Sequence, residues 1–191
     1  IAARQLRRSI LAYMASEQFA PERELSADVV DSLFVKARFI ATAENFDPVC
    51  PVNAAIDADP ATYWHTEWQS RKDRLPATLT LDLGTAGRVR GFKYAPRPDL
   101  NRGRVARYRV EVSLDGNVWN PIGGERNFPD DAAPQTVSFD APVEAKWIRL
   151  VVLTDHANCG NAAVAEFDPL LDVGGDARGL GIVPGFNDGS K

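Results

Sequence analysis

A chain of 191 residues, 45% hydrophobic and 25% charged, has the make-up of a globular protein with room for one ordinary domain and something more. Its formal net charge of −4 lacks the positive footprint that nucleic acid or an anionic membrane surface demands. No apolar run approaches the length needed to span a bilayer, and the two cysteines, Cys50 and Cys159, fit no metal-ligand spacing.

In residues 1–38, Leu6, Ile10, Tyr13 and Met14 recur at helical spacing, with Arg4, Arg7 and Arg8 on other sectors. Pro21 interrupts. Ser26 then offers an N-cap ahead of Val29, Val30, Leu33, Phe34 and Ala37. The pattern predicts a short helical hairpin, read as a stalk or the remnant of a neighbouring domain. The apolar core Ile10–Ala15 is too short for a signal peptide, and the chain opens without Met. We expect a processed protein, or a piece of a longer one.

From Phe39 the period changes to two. Leu79, Leu81 and Leu83 alternate with polar neighbours, as do Tyr108, Val110, Val112 and Leu114. Asp115-Gly116 signals a hairpin toward Trp119. Further strands are expected at Val89–Pro96, Thr136–Phe139, Trp147–Leu153 and Ala163–Leu170. Short strands without interleaved helices mean an all-β sandwich or barrel over 39–171. The glycine-rich segment 172–191 reads as a tail or linker.

Between the first strands lies Asn53–Trp68, NAAIDADPATYWHTEW, which fits neither a helical nor a strand period. Asp57-Ala58-Asp59-Pro60 is a turn former, because Asp side chains bond nearby backbone and proline fixes φ. Two physical holders suit such a loop: a hard cation gathering its oxygens, or its indoles Trp64 and Trp68 plugging the end of a core.

This stretch resembles the signature loop of the discoidin, or coagulation factor V/VIII C-type, superfamily, with carbohydrate-binding module family 32 as the nearest match. Leu81-Asp82-Leu83-Gly84, Tyr94-Ala95-Pro96-Arg97, Tyr108–Trp119, Trp147-Ile148-Arg149-Leu150 and Ala165-Glu166 match further motifs in the family's order. The resemblance implies a galactose-binding-domain-like jelly-roll β-sandwich. It also implies a structural calcium ion held by Asp57, Asp59, Thr62 and Glu166, with carbonyls near Ala54 and Ala165. It places the Cys50 and Cys159 loops at one end of the sandwich, where a disulfide is expected.

For the ligand, the resemblance implies that His65 and Arg97 meet a galacto-configured sugar, assisted by Asn101. Arginine suits this role, because its planar fork can bond two vicinal oxygens. Asp47 stands in for an acidic group of the first loop. The family's stacking aromatic falls on Asn161, so Trp68, Phe46 or Phe128 is expected to supply the apolar platform.

Enzymatic signatures are missing. His65-Thr66-Glu67 has an H-x-E look without a following P-C-x-x-C, and no G-x-S-x-G, P-loop or H-E-x-x-H occurs. A Cys159–His156 pair is the remaining nucleophilic candidate. The resemblance therefore implies a non-catalytic glycan-binding module, secreted or at the cell surface and tethered to a larger glycan-active enzyme or adhesin. The alternatives are a discoidin domain binding protein or phospholipid, and a spacer without ligand.

Overall fold

The structure, a computed structural model, describes residues 39–69 and 75–172, together with Ser9, Ala12, Tyr13, Met14, Ser16 and Gln18. The chain divides into two compact units, Ile1–Ala37 and Arg38–Lys191. In the first, Ser9, Ala12, Tyr13 and Met14 are helical. The second helix expected over Ser26–Ala37 and the tail beyond residue 172 lie outside the described residues.

Among its described residues the second unit holds nine strands: β1 (Ile40–Ala43), β2 (Trp64–His65), β3 (Ala77–Ala95), β4 (Val105–Ser113), β5 (Asn120–Pro121), β6 (Arg126–Asn127), β7 (Gln135–Asp155), β8 (Ala163–Val164) and β9 (Glu166–Leu171). Two of them are long and do the folding. Each of β3 and β7 is broken by register shifts, at Asp82/Gly87 and Val89/Gly91 on β3, so each serves both layers of a sandwich. Their Ala77–Asp82 and Trp147–Val152 parts lie between β1 and β4, while Gly91–Ala95 and Gln135–Ser138 pair beside β9. A separate β2–β8 pair closes one end. This is an all-β sandwich, one of the two forms the period-two alternation allows and the one the resemblance implies.

Alternation fixes the core because residues two apart on a strand share a face. Leu79, Leu81, Ile148 and Leu150 are fully buried from one layer, and Phe92, Tyr94 and Phe167 from the other. Phe92 meets Phe167 at 5.2 Å and Tyr108 at 6.1 Å between ring centroids, joining the two layers. Phe128 slots between Tyr94 and Tyr108, stacked at 4.3 and 4.1 Å. It is therefore a core residue and not a sugar platform.

Two strand expectations are corrected. The separate Thr136–Phe139 and Trp147–Leu153 strands are parts of the continuous β7. Leu114 is 56% exposed, because β4 ends at Ser113, whose hydroxyl meets Asp115 Oδ1 and accepts from Gly116 N to form the turn. The hairpin itself forms as expected, with Glu111 opposite Pro121 and Gly116 at φ 77°.

On the sheet beside this hairpin, Glu111 is buried between two arginines. Arg109 Nε donates to Oε1 at 2.6 Å and Arg149 Nε to Oε2 at 2.6 Å, while the Arg149 guanidinium lies 3.9 Å from the Trp119 ring centroid. Burial pushes the Glu111 carboxyl up, but the hydrogen bonds from Arg109 and Arg149 outweigh it and hold it below the ordinary range.

Two outcomes test the scaffold. Phe128→Ala removes a stacked core ring and should cost about 3–5 kcal/mol in denaturant unfolding; a loss near zero would show that the stack is not structural. Glu111 is lower in the folded than the unfolded state, so its stabilisation is present above the unfolded value of about 4.3 and fades as pH falls through the folded one. Glu111→Gln should therefore be less stable than the parent at neutral pH and converge on it in acid. A pH-independent difference would contradict the ion-pair account.

Candidate functional site

Local chemistry shapes the signature loop before any ligand enters. A 3-10 turn at Val52–Ala55 opens it. Asp57 Oδ1 then accepts from Asp59 N at 2.9 Å and Asp59 Oδ1 from Ala61 N at 3.0 Å, two successive Asx turns with Ala58 at φ 64° between them. Trp64 anchors the far end: its ring is fully buried and its Nε1 donates to Asn45 O at 3.1 Å. Trp64 pairs with Val164 and His65 with Ala163, while Thr66 N donates to Ala162 O at 2.9 Å. Ala163 N donates to Gly103 O at 2.7 Å, stitching in the loop that follows β3. The segments around residues 63–68, 97–104 and 161–165 thus share one end of the sandwich.

At that end the structure brings His65 and Arg97 to one side chain, Tyr63. The Arg97 guanidinium lies 4.3 Å from the Tyr63 ring centroid and its Nη2 donates to Tyr63 Oη at 2.7 Å. Tyr63 and His65 have centroids 6.3 Å apart, as residues two apart in extended chain should. Asp99 grips Arg97 with both oxygens, from Nε at 2.8 Å and Nη2 at 2.7 Å, and Arg102 O accepts from Nη1 at 3.3 Å. Arg97's hydrogen bond holds the Asp99 carboxyl below the usual range, while burial pushes the Tyr63 phenol up. His65 Nδ1 lies 2.5 Å from Thr66 O, which can only accept, so the neutral ring carries its proton there and presents Nε2 as an acceptor. Trp68 stands edge-on to His65 at 6.2 Å, 56% exposed. An exposed indole beside fixed polar groups offers a C–H face and hydroxyls their partners.

Over residues 39–167 the sequence matches the F5/8 type C domain. The chain belongs to that family. It is 38% identical over 115 residues, 59% of its length, to a sialidase from Micromonospora viridifaciens. The match covers 18% of that sialidase, so the chain spans less than a fifth of this curated relative. Among solved structures it is similar to CpGH89CBM32-5 from Clostridium perfringens, in complex with GalNAc-β-1,3-galactose, at TM-score 0.66 and 30% identity over 72% of this chain and 98% of that one. It is also similar to the family 32 module of C. perfringens NanJ, in complex with galactose, at TM-score 0.64 and 27% identity over 71% and 96%. The sandwich of this F5/8 type C domain is therefore galactose-binding-like, and its homologues are carbohydrate-binding modules of the discoidin type.

Other sequence-expected residues fall in different places around this F5/8 type C site. Asn101 is exposed, its amide 3.4 Å from Asp130 Oδ2. Asp47 is buried and caps its own turn by accepting from Val49 N at 2.9 Å, so it is a structural acid. Phe46 is exposed, whereas Asn161 is buried with its amide 3.3 Å from Cys159 Sγ.

The expected Cys50–Cys159 disulfide is absent: both are free thiols. The Cys159 thiol instead donates to Asp155 Oδ1 at 3.2 Å within a turn whose backbone N–H groups also meet Asp155. Burial pushes the Cys50 thiol up. The imagined Cys159–His156 pair is likewise replaced, since His156 Nε2 meets Phe128 O at 3.1 Å.

The expected cation ligands are oxygens, the chemistry a hard cation takes. Thr62 Oγ1 lies 2.7 Å from Asp57 Oδ2 and 3.1 Å from Asp59 O, which brings three of them together. Glu166 is buried at the start of β9, which packs against the 3-10 turn holding the buried Ala54, and Ala165 precedes it, also buried. Among the described residues no three His, Cys, Asp or Glu side chains gather, so a cation here would rest on hydroxyl and carbonyl oxygens beside its carboxylates.

Sequence reasoning missed Tyr63 and Asp99. Each was legible as a neighbour at i±2 of a candidate residue, the spacing that shares a face in extended chain. His65 and Arg97 are both buried, each only 6% exposed. Arg97→Ala should therefore lower unfolding stability by about 1–3 kcal/mol, since it strands the groups around Tyr63. An unmoved transition in denaturant would show that the Asp99–Tyr63 setting is loose.

Proposed function

We propose that this domain is a non-catalytic carbohydrate-binding module that recognises a galacto-configured residue and is stabilised by a structural calcium ion. The observation that carries the reading is the convergence of His65 and Arg97 about Tyr63, with the exposed Trp68 beside His65. The two solved neighbours whose ligands are galactose and GalNAc-β-1,3-galactose support the sugar class.

Arg97 does not act as a two-pronged clamp in this reading. Its Nε–H goes to Asp99, both Nη2–H to Asp99 and Tyr63, and one Nη1–H to Arg102 O, leaving one N–H for a sugar hydroxyl. His65 Nε2 accepts from a second hydroxyl and Trp68 covers the C–H face. Asp57, Asp59 and Thr62, with Glu166 and carbonyls near Ala54 and Ala165, hold the cation, which pins the loop to β9. Weak binding of this kind works by avidity, keeping a tethered partner near its glycan. The similarity to a sialidase supports attachment to a larger secreted or surface glycan-active protein.

One observation favours a second reading. Val49 is 87% exposed and Leu100 51%, apolar tips of the sort that dock on protein or phospholipid.

Calorimetric titration with galactose, N-acetylgalactosamine, fucose and glucose separates these readings. A monosaccharide site near 1 mM has about 4.1 kcal/mol in all, so losing a contact worth about 1–3 should take His65→Ala beyond detection. Retained binding in that variant puts the site elsewhere. Binding to none of the sugars, with retention on phospholipid vesicles, favours the second reading; binding to neither leaves a spacer.

Calcium adds about 2.7 kcal/mol when free metal is a hundredfold above its dissociation constant. Chelator should therefore lower the melting temperature, and Asp57→Ala should abolish that response. A parent protein shown metal-free by elemental analysis, yet melting unchanged, overturns the calcium assignment.

A further inference from the structure

One rung crosses the outer face of the larger sheet, away from the loop end. Thr42 of β1 pairs with Thr80 of β3, Thr80 with Arg149 of β7, and Arg149 with Glu111 of β4. Their chain neighbours Ala41, Leu79, Leu81, Ile148 and Leu150 are buried, so these side chains share the face turned from the core. On that face lies a cleft of about 290 Å³, lined by Thr42, Ala43, Glu44, Thr78, Thr80 and Arg149. Along β7 about 20 Å of extended chain separates Arg149 from Asp155, which pairs with Val105 at the loop end.

Arg149 is held ready in this cleft. Buried Glu111 takes its Nε–H at 2.6 Å and one Nη2–H, and the guanidinium lies 3.9 Å from the Trp119 ring centroid. A guanidinium has five N–H groups, so two on Nη1 and one on Nη2 remain, in the planar fork that bonds two adjacent oxygens. Arg97, by contrast, keeps one. The hydroxyls of Thr42, Thr78 and Thr80 and the carboxylate of Glu44 make no hydrogen bond or ion pair among the described residues.

These walls select a ligand class. Arginine only donates, a carboxylate only accepts, and threonine does both. An anion would face Glu44 and a cation Arg149, while an apolar side chain would find only the Ala43 methyl. A row of neutral hydroxyls satisfies every group, accepting from the fork and donating to the carboxylate. We infer that the Thr42–Thr80–Arg149 cleft is a separate glycan site, which takes the hydroxyl edge of a neutral saccharide on the sheet face. It shares no residue with the His65–Arg97 site and stands whether or not that site takes a sugar. With both sites in use the domain is bivalent, and gains avidity on a polymer.

Trp68 stands beside His65 and Trp119 against Arg149, so their indole N–H signals in NMR spectra of the full chain report the two sites separately. The protein is titrated with galactose, glucose, lactose and cellotetraose to roughly 20 mM, well above a weak site near 1 mM. At least one sugar should shift the Trp119 signal. Thr80→Val and Thr42→Val keep the shape and remove a hydroxyl. Each should weaken that response about 5-fold or more, the worth of one hydrogen bond, and leave any Trp68 response in place. His65→Ala should leave the Trp119 response intact. A Trp119 signal unmoved by all four sugars overturns the site, as does a response that both threonine variants keep. Loss of the response in His65→Ala shows that it is transmitted from the loop end, and an equal response to sodium sulfate shows an anion site; either overturns the inference. Trp119 silent while Trp68 responds leaves the loop-end reading standing, and the reverse removes that reading alone.

Discussion

The burial of one indole governs the functional end of this domain. Trp64 is fully enclosed, its Nε1–H on Asn45 O, and its strand pairs with Val164. An aromatic ring of this size, buried with its polar atom satisfied, contributes several times the worth of an exposed contact. The neighbours of Trp64 in the chain inherit its fixed position. Tyr63 and His65 flank it on the opposite face of the extended segment, so they turn toward the loops while the indole faces the core.

Around that fixed point the polar groups are held by one another. Arg97 would be costly to bury alone, and Asp99 on two of its N–H groups, Tyr63 Oη and Arg102 O offset the loss of water. The result is a guanidinium that has little freedom to reorganise when a ligand arrives. Preorganisation of this kind lowers the entropic cost of binding. It also limits what the arginine can offer, because a donor spent on the scaffold is not available to a ligand. The same logic of mutual satisfaction recurs in the Asp155 turn, where the carboxylate gathers the Cys159 and Gly160 N–H groups and the Cys159 thiol.

Scaffold and site are separable here. The long β3 and β7 strands and the Phe92–Tyr108–Phe128 cluster would hold the sandwich whatever the loops carried. Function in such a fold belongs to the loops at one end, which is where Asp57, Tyr63, His65, Arg97 and Trp68 reside. The apolar tips Val49 and Leu100 belong to the same end. At this end polar groups are fixed from below and apolar groups stand free at the rim.

The all-β architecture, the β4–β5 hairpin and the Asx turns of the loop were legible from residue order alone. Each rests on short-range chemistry: period-two burial at Leu79–Leu83, glycine at positive φ after Asp115, and aspartate bonding its own backbone at 57 and 59. The motifs also drew attention to His65 and Arg97, which the structure sets about Tyr63. Tertiary structure alone decided the rest, because it depends on partners distant in sequence. It buried Arg97 against Tyr63, thirty-four positions away, and put Phe128 into the core between Tyr94 and Tyr108. It set the Cys159 thiol on Asp155 Oδ1, four residues earlier, and left both cysteines as free thiols. Sequence determined which groups were available; packing determined which of them face a ligand, because only burial fixes how many of a side chain's hydrogen bonds are already spent.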